Sequence, residues 1–271
     1  MKKLRRTAIS GSHGLIGSKL AEVLKADGIP RELLYDPVSL TQFIKGYDTV
    51  IHCASYGNHH WQTDLQQIFI SNVFATENLL EACRVNQVND FIFMGSSSEY
   101  GDKNAPMVEE MIPEAFSMYG CCKVAGEYLT RHYSAYMNTV TVRPFSIYGE
   151  KEDPGMFIPT LVRCIKKSEV FMMYDGNHDW VHVDDFAKAI LIILKSMPIV
   201  NGLTINVGSG INISNREVIE TMMLISGGEL VVKPMGGGNP LWVANSDKIR
   251  TLGWKPRISL YEGLKRVYNA L

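Results

Sequence analysis

The chain has 271 residues, 46% of them apolar, and a formal net charge of −1, enough for a sizeable core and without an overall field to draw in nucleic acid or an anionic membrane. Five cysteines without regular spacing argue for free thiols in a reducing compartment and against a metal box. The basic start is not followed by the apolar segment of a signal peptide, and the longest apolar run, Ala189 to Leu194, is too short to span a membrane, so a soluble cytoplasmic protein is expected.

Leu4 to Ile9 reads as a short buried strand. Behind it stand Gly11-Ser12-His13-Gly14-Leu15-Ile16-Gly17 and an amphipathic run to about Lys25. Strand, glycine loop and helix in that order form the setting of a dinucleotide fingerprint. Gly11 permits the tight turn, Gly14 a close approach of pyrophosphate, and Gly17 the contact of helix with strand. The free N–H groups of the helix start would hold the anion.

The next part is short, with room for one strand, Glu32 to Tyr35, and one helix, Pro37 to Lys45. Asp36 stands about where a carboxylate takes the adenosine ribose hydroxyls, and Asp36-Pro37 is equally a good helix entry. If Asp36 is only a cap, His13 and Arg31 become candidates for a 2′-phosphate, so the cofactor is NADP or NAD.

Thr49 to Ala54 is a confident strand. Cys53, Ala54 and Ser55 at its carboxyl end leave room for a cofactor, as strand ends do in open α/β sheets. Tyr56 to Trp61 follows, a loop with two histidines that could line a substrate pocket. No third zinc ligand accompanies them, and no metal is expected. Gln66 to Arg84 reads as one long helix holding Asn72, which needs partners if buried. Asp90 to Met94 is a strand ending in Ser96-Ser97-Ser98-Glu99-Tyr100-Gly101. One loop later come Tyr119 and Lys123, four apart and so on one helix face. A phenol beside an ammonium is eased toward ionisation and can trade a proton with an alcohol or ketone. The Ser96 hydroxyl can converge on the same oxygen.

Taken together, these motifs resemble the extended short-chain dehydrogenase/reductase family, in its sugar-nucleotide epimerase/dehydratase/reductase branch, over nearly the whole chain. Val142-Arg143-Pro144-Phe145-Ser146-Ile147-Tyr148-Gly149, Val181 to Asp185, Asn206 to Gly210 and Leu252 to Pro256 agree. The resemblance implies a doubly wound parallel sheet (Rossmann, α/β) formed by residues 1–149 with 176–208. A small carboxyl-terminal substrate lobe, 150–175 with 209–271, would complete it. It further implies that Ser96 polarises the reacting oxygen, Tyr119 is the acid/base and Lys123 also binds nicotinamide ribose. Pro144 and Phe145 fall where the family contacts the cofactor. Tyr56, Ser98, Ser146, Arg163 and His178 are candidate substrate contacts. A homodimer through the helices at Gln66–Arg84 and Tyr119–Tyr136 is implied as well.

Several positions depart from the family pattern. Ser97 and Ser98 replace the Asp-Glu pair of the dehydratases. Ser146 stands for a usual Asn, His178 for an Arg, and no Arg follows Pro240, where Leu241-Trp242 stand. The diphosphate therefore loses two bidentate partners. His178 would replace one only while protonated, with binding that weakens from pH ~6 to ~8. The expected partner is a nucleotide-sugar, reduced at C4 as a 4-keto-6-deoxy sugar. A 4-epimerase retaining NAD is the alternative, and a cofactor-binding regulatory subunit without turnover is the rival from another class.

Overall fold

The computed structural model describes residues 5–103, 106–238 and 241–271. Six strands form one parallel sheet: β1 (Thr7–Ser10), β2 (Asp27–Ile29), β3 (Thr49–His52), β4 (Asp90–Met94), β5 (Asn138–Pro144) and β6 (Leu203–Val207). Their order across the sheet is β6-β5-β4-β3-β1-β2. Consecutive strand residues face opposite sides, and here both sides are buried. Ala8, Val50, Phe91 and Phe93 enter one apolar layer, with α2 (Pro37–Ile44) and α4 (Ala75–Val85). Ile9, Ile51, Ile92 and Met94 enter the other, with α1 (Leu15–Leu24) and α7 (Val183–Ser196). This is why the strands read as continuous apolar runs without alternation. Each fully buried Leu, Ile or Phe contributes roughly 1.5–3 kcal/mol. A third apolar cluster lies outside these layers, where α6 (Phe157–Lys167) packs with α8 (Asn215–Ser226) and the helix Leu260–Ala270.

Two local expectations are corrected. The second strand is Asp27–Ile29, and Arg31–Tyr35 is a 3-10 turn. The apolar Leu33-Leu34-Tyr35 that suggested a strand instead anchors this turn, with Leu34 buried in the α2/α4 layer. The long helix is continuous but not uniformly α: α3 (Leu65–Phe69) runs through a π-helical segment, Ile70–Phe74, into α4. The first strand begins at Thr7; Leu4 lies outside the described residues, as does Pro240.

Candidate active site

The carboxyl ends of β1, β3, β4 and β5 open onto one cleft of about 830 Å³. At β1 the glycine loop takes its shape from contacts only glycine allows. Gly11 has φ +70°, and a Cβ there would lie 2.6 Å from the Ala54 nitrogen; a Cβ on Gly17 would strike the Gly11 carbonyl. Gly14 differs, since a Cβ would meet nothing nearer than 3.6 Å, and this open face borders the cleft. Gly14 is also the N-cap of α1 and supplies no side-chain acceptor. The first N–H groups of α1 therefore remain available to an anion. These residues fit a dinucleotide pyrophosphate. His13, Leu15, Ile16 and Cys53 line the same wall, and Pro144 and Phe145 close the opposite end.

The reacting groups come from β4 and α5 (Met118–His132). Beyond Met94, Ser96 caps a 3-10 turn, Ser97–Glu99, accepting from the Ser98 N–H at 3.0 Å. Its own N–H donates to Glu99 Oε1 at 2.7 Å. Ser117 caps α5 through the Gly120 N–H. A Cβ at Gly126 would strike the Phe93 ring, so glycine there lets α5 lie against β4. Lys123 is thereby buried, its Nζ donating to the Met94 carbonyl at 2.8 Å and lying 5.7 Å from the Tyr119 ring centre. The Ser96 and Ser55 hydroxyls interact with the Tyr119 phenol.

Electrostatics correct one expectation. Burial pushes the Tyr119 phenol up to about 12, against the pull of the two serine hydroxyls, so it is held as an acid. The same burial lowers Lys123 to about 8, partly offset by Glu99.

Beneath these groups lies a buried ionic cluster. Arg143 is 1% exposed, its Nε 3.0 Å from Glu99 and its terminal nitrogen 3.0 Å from Glu127. Its guanidinium also covers the Tyr100 ring, 4.6 Å from the centre. Burial and Glu127 raise the Glu99 carboxyl, and Arg143 draws it back.

Of the substrate candidates, Ser98, Ser146 and His178 line the cleft. Arg163 does not; it pairs with Glu169 at 2.7 Å on an exposed face of α6. Burial lowers the His178 pKa, and its Nδ1 meets the Ser146 hydroxyl at 3.2 Å. A neutral imidazole is thus expected at pH 7, contrary to its reading as a protonated phosphate grip. Asp36 is exposed and caps α2, accepting from the Val38 and Ser39 N–H groups at 3.2 Å each. Its carboxylate is engaged at the start of α2 and is not among the cleft-lining residues. Asn72 and Tyr56 form a brace behind the wall: Asn72 Nδ2 donates to the Tyr56 carbonyl at 2.6 Å. Ser12 and Ala54 likewise support the glycine loop without lining the cleft.

Sequence reasoning missed the wall formed by Lys151, Glu152, Asp153 and Met156, and by Trp180 and Trp242. Trp242 stands where an arginine was sought, and its indole N–H donates to Ser97 Oγ at 3.0 Å. No spacing marks this wall, which is an irregular loop closed by distant elements. Among the described residues no group of three metal-ligating side chains occurs, and no helix is long and apolar enough to cross a membrane.

A glycine-loop parallel sheet with Ser, Tyr and Lys at one cleft defines a dinucleotide-dependent oxidoreductase class. The model of the NAD-dependent epimerase/dehydratase family matches residues 7–208, and the chain belongs to that family, an enzyme family within the extended short-chain dehydrogenases/reductases. The chain is 29% identical over 241 residues to an uncharacterised UDP-glucose epimerase of Bacillus subtilis, covering 83% of this chain and 74% of the relative. It is 26% identical to GDP-L-fucose synthase 1 of Arabidopsis thaliana, with 98% and 93% covered. The UDP-glucuronic acid 4-epimerase of Bacillus cereus, solved with UDP-glucuronic acid and NAD, superposes with a TM-score of 0.89 at 25% identity, covering 98% of each chain.

Proposed function

We propose that the chain transfers hydride at C4 of a nucleotide-linked hexose and runs as a reductase of the 4-keto sugar. The observation that carries this reading is the convergence of the Tyr119 phenol and the Ser96 hydroxyl on one cleft, with Lys123 one helical turn away. Both donate to one carbonyl oxygen, and the phenol delivers the proton as that oxygen becomes an alcohol. Lys123 would hold the nicotinamide ribose, and the α1 start would hold the pyrophosphate. When bound, the nicotinamide supplies or accepts the hydride. Ser97 and Ser98 offer no carboxyl for dehydration. Asp36 is engaged as the cap of α2, which leaves it less able to oppose a 2′-phosphate, and this favours an exchangeable NADPH.

A 4-epimerase is the second reading, favoured by the UDP-glucose epimerase among the relatives. Exposed Phe69, Phe74 and Tyr128 on the α3–α4 and α5 faces support pairing with a second copy. The test is the cofactor state on purification together with turnover. An empty site that oxidises NADPH with a 4-keto-6-deoxy nucleotide-sugar supports the reductase. Tightly held NAD with interconversion of UDP-glucose and UDP-galactose overturns it in favour of the epimerase.

A further inference from the structure

Glu152 is 9% exposed, lines the cleft, and its Oε2 has no hydrogen-bond partner among the described residues. Other buried carboxylates face a cation or N–H donors, including Glu127, whose Oε2 makes no hydrogen bond but lies 3.0 Å from an Arg143 nitrogen. Glu99 has Arg143 and the Ser96 N–H, Asp179 has Ser209, Gly210 and Ala244, and Asp185 has Lys188 with two backbone N–H groups. Leaving a buried polar group unpaired costs on the order of 1–3 kcal/mol. Its near neighbour in charge is Asp153, another acid, and burial holds the Glu152 carboxyl up at about 8.

Two more orphans border the same cleft: His59 Nδ1 and the Trp180 indole N–H. The loops meet there, since a Cβ on Gly155 would lie 2.7 Å from the Trp61 ring, and Trp61 stacks on His59 at 4.4 Å between ring centres. A carboxyl beside a second acid, Asp153, is a poor ligand for phosphate and a good one for a hydroxyl. A second wall holding a donor, an acceptor and a carboxyl suits a polyhydroxylated group.

We infer that Glu152 is a specificity-determining residue that accepts a hydrogen bond from a donor on the sugar, a hydroxyl or an amino group. This rests on the nucleotide-sugar reading above. The test uses the full chain with NADPH. Calorimetry measures UDP-glucose, dTDP-glucose and GDP-mannose, with their free diphosphates, against wild type, Glu152→Gln and Glu152→Ala. Thermal melts of both variants check folding. For whichever nucleotide-sugar binds, Glu152→Ala should weaken affinity about tenfold or more, on the scale of a lost hydrogen bond that leaves a buried partner unsatisfied, and leave the diphosphate and NADPH within twofold. Glu152→Gln, which still offers an acceptor, should keep a hydroxyl sugar within threefold; a further loss of tenfold or more for a 4-amino nucleotide-sugar would identify the amine as the preferred donor. Unchanged sugar affinity in Glu152→Ala, or equal losses for the diphosphate or NADPH, overturns the inference. Wild type binding none of the nucleotide-sugars sinks the functional reading first, and this inference with it.

Discussion

Arg143→Met would remove the one cation shared by Glu99 and Glu127. The arginine is 1% exposed and its two partners are 0% and 5% exposed, so no solvent screens the loss. Breaking a buried pair from one side costs roughly 3–5 kcal/mol, because a buried carboxylate is left uncompensated. For a chain this size each kcal/mol lowers Tm by about 2–4 °C, so a fall of roughly 6–20 °C is expected by calorimetry. Methionine fills much of the same volume, so the loss is electrostatic more than a cavity. Adding Glu99→Gln should then recover at least a third of the deficit, since contacting residues couple by roughly 0.5–3 kcal/mol. A single variant melting within 2 °C of wild type would refute the reasoning, as would a double variant with strictly additive losses.

Tyr119→Phe should reduce turnover by about 10²–10⁴-fold, the worth of a general acid, with NADPH affinity within threefold by calorimetry. Because Lys123 is lowered to about 8, its charged form disappears above that pH. Turnover should decline on the alkaline side of about 8, and Lys123→Met should flatten that limb in a pH–rate profile. The same shift acts on stability with the opposite sign. Between about 8 and 10.5 the unfolded chain binds more protons at this site than the folded one, so Lys123 contributes stability that grows with pH there. Asp36→Ala should cost about 0.5–2 kcal/mol in a denaturant titration, as a lost cap, and leave the ratio of NADH to NADPH affinity unchanged; a tenfold change in that ratio would restore Asp36 to the cofactor site.

The glycine loop was legible because its cause is local: strand, turn and helix start lie within a dozen residues, Gly11 and Gly17 are required sterically, and Gly14 leaves the face toward the cleft open. Tyr119 and Lys123 were legible for the same reason, since one helical turn joins them. Asp36 shows where such reading divides. A helix cap and a ribose ligand ask for the same residue ahead of a helix, and the structure shows the cap through the Val38 and Ser39 N–H groups. The segment Glu32–Tyr35 misled because an apolar run this short suits a strand or a turn equally. Arg143 and Glu99 are 44 positions apart and Trp242 and Ser97 are 145 apart, so their pairing belongs to the topology and has no local signature. Glu152 is hidden differently. Nothing in Glu-Lys-Glu-Asp distinguishes a carboxylate facing water from one turned into a cleft.

The π-helical segment Ile70–Phe74 makes this site sensitive to residue count as well as residue identity. One surplus residue is accommodated there. It sets the phase between α3, which carries Ile68 beneath Gly57, and α4, which is fixed in the core by Leu79 and Leu80. Asn72 sits inside the surplus turn and grips both the Tyr56 and Ile68 carbonyls, at 2.6 and 2.7 Å. Deleting a single residue from this turn, even an exposed one such as Phe74, would restore a regular helix and return the Ile68 carbonyl to the helix's own i→i−4 ladder, so that Asn72 loses one of the two acceptors it grips. The loop that follows Ser55 is tied to the helix through that same side chain. Chain length across these five residues is therefore a constraint on the wall of the cleft, separate from the chemistry of any residue that lines it.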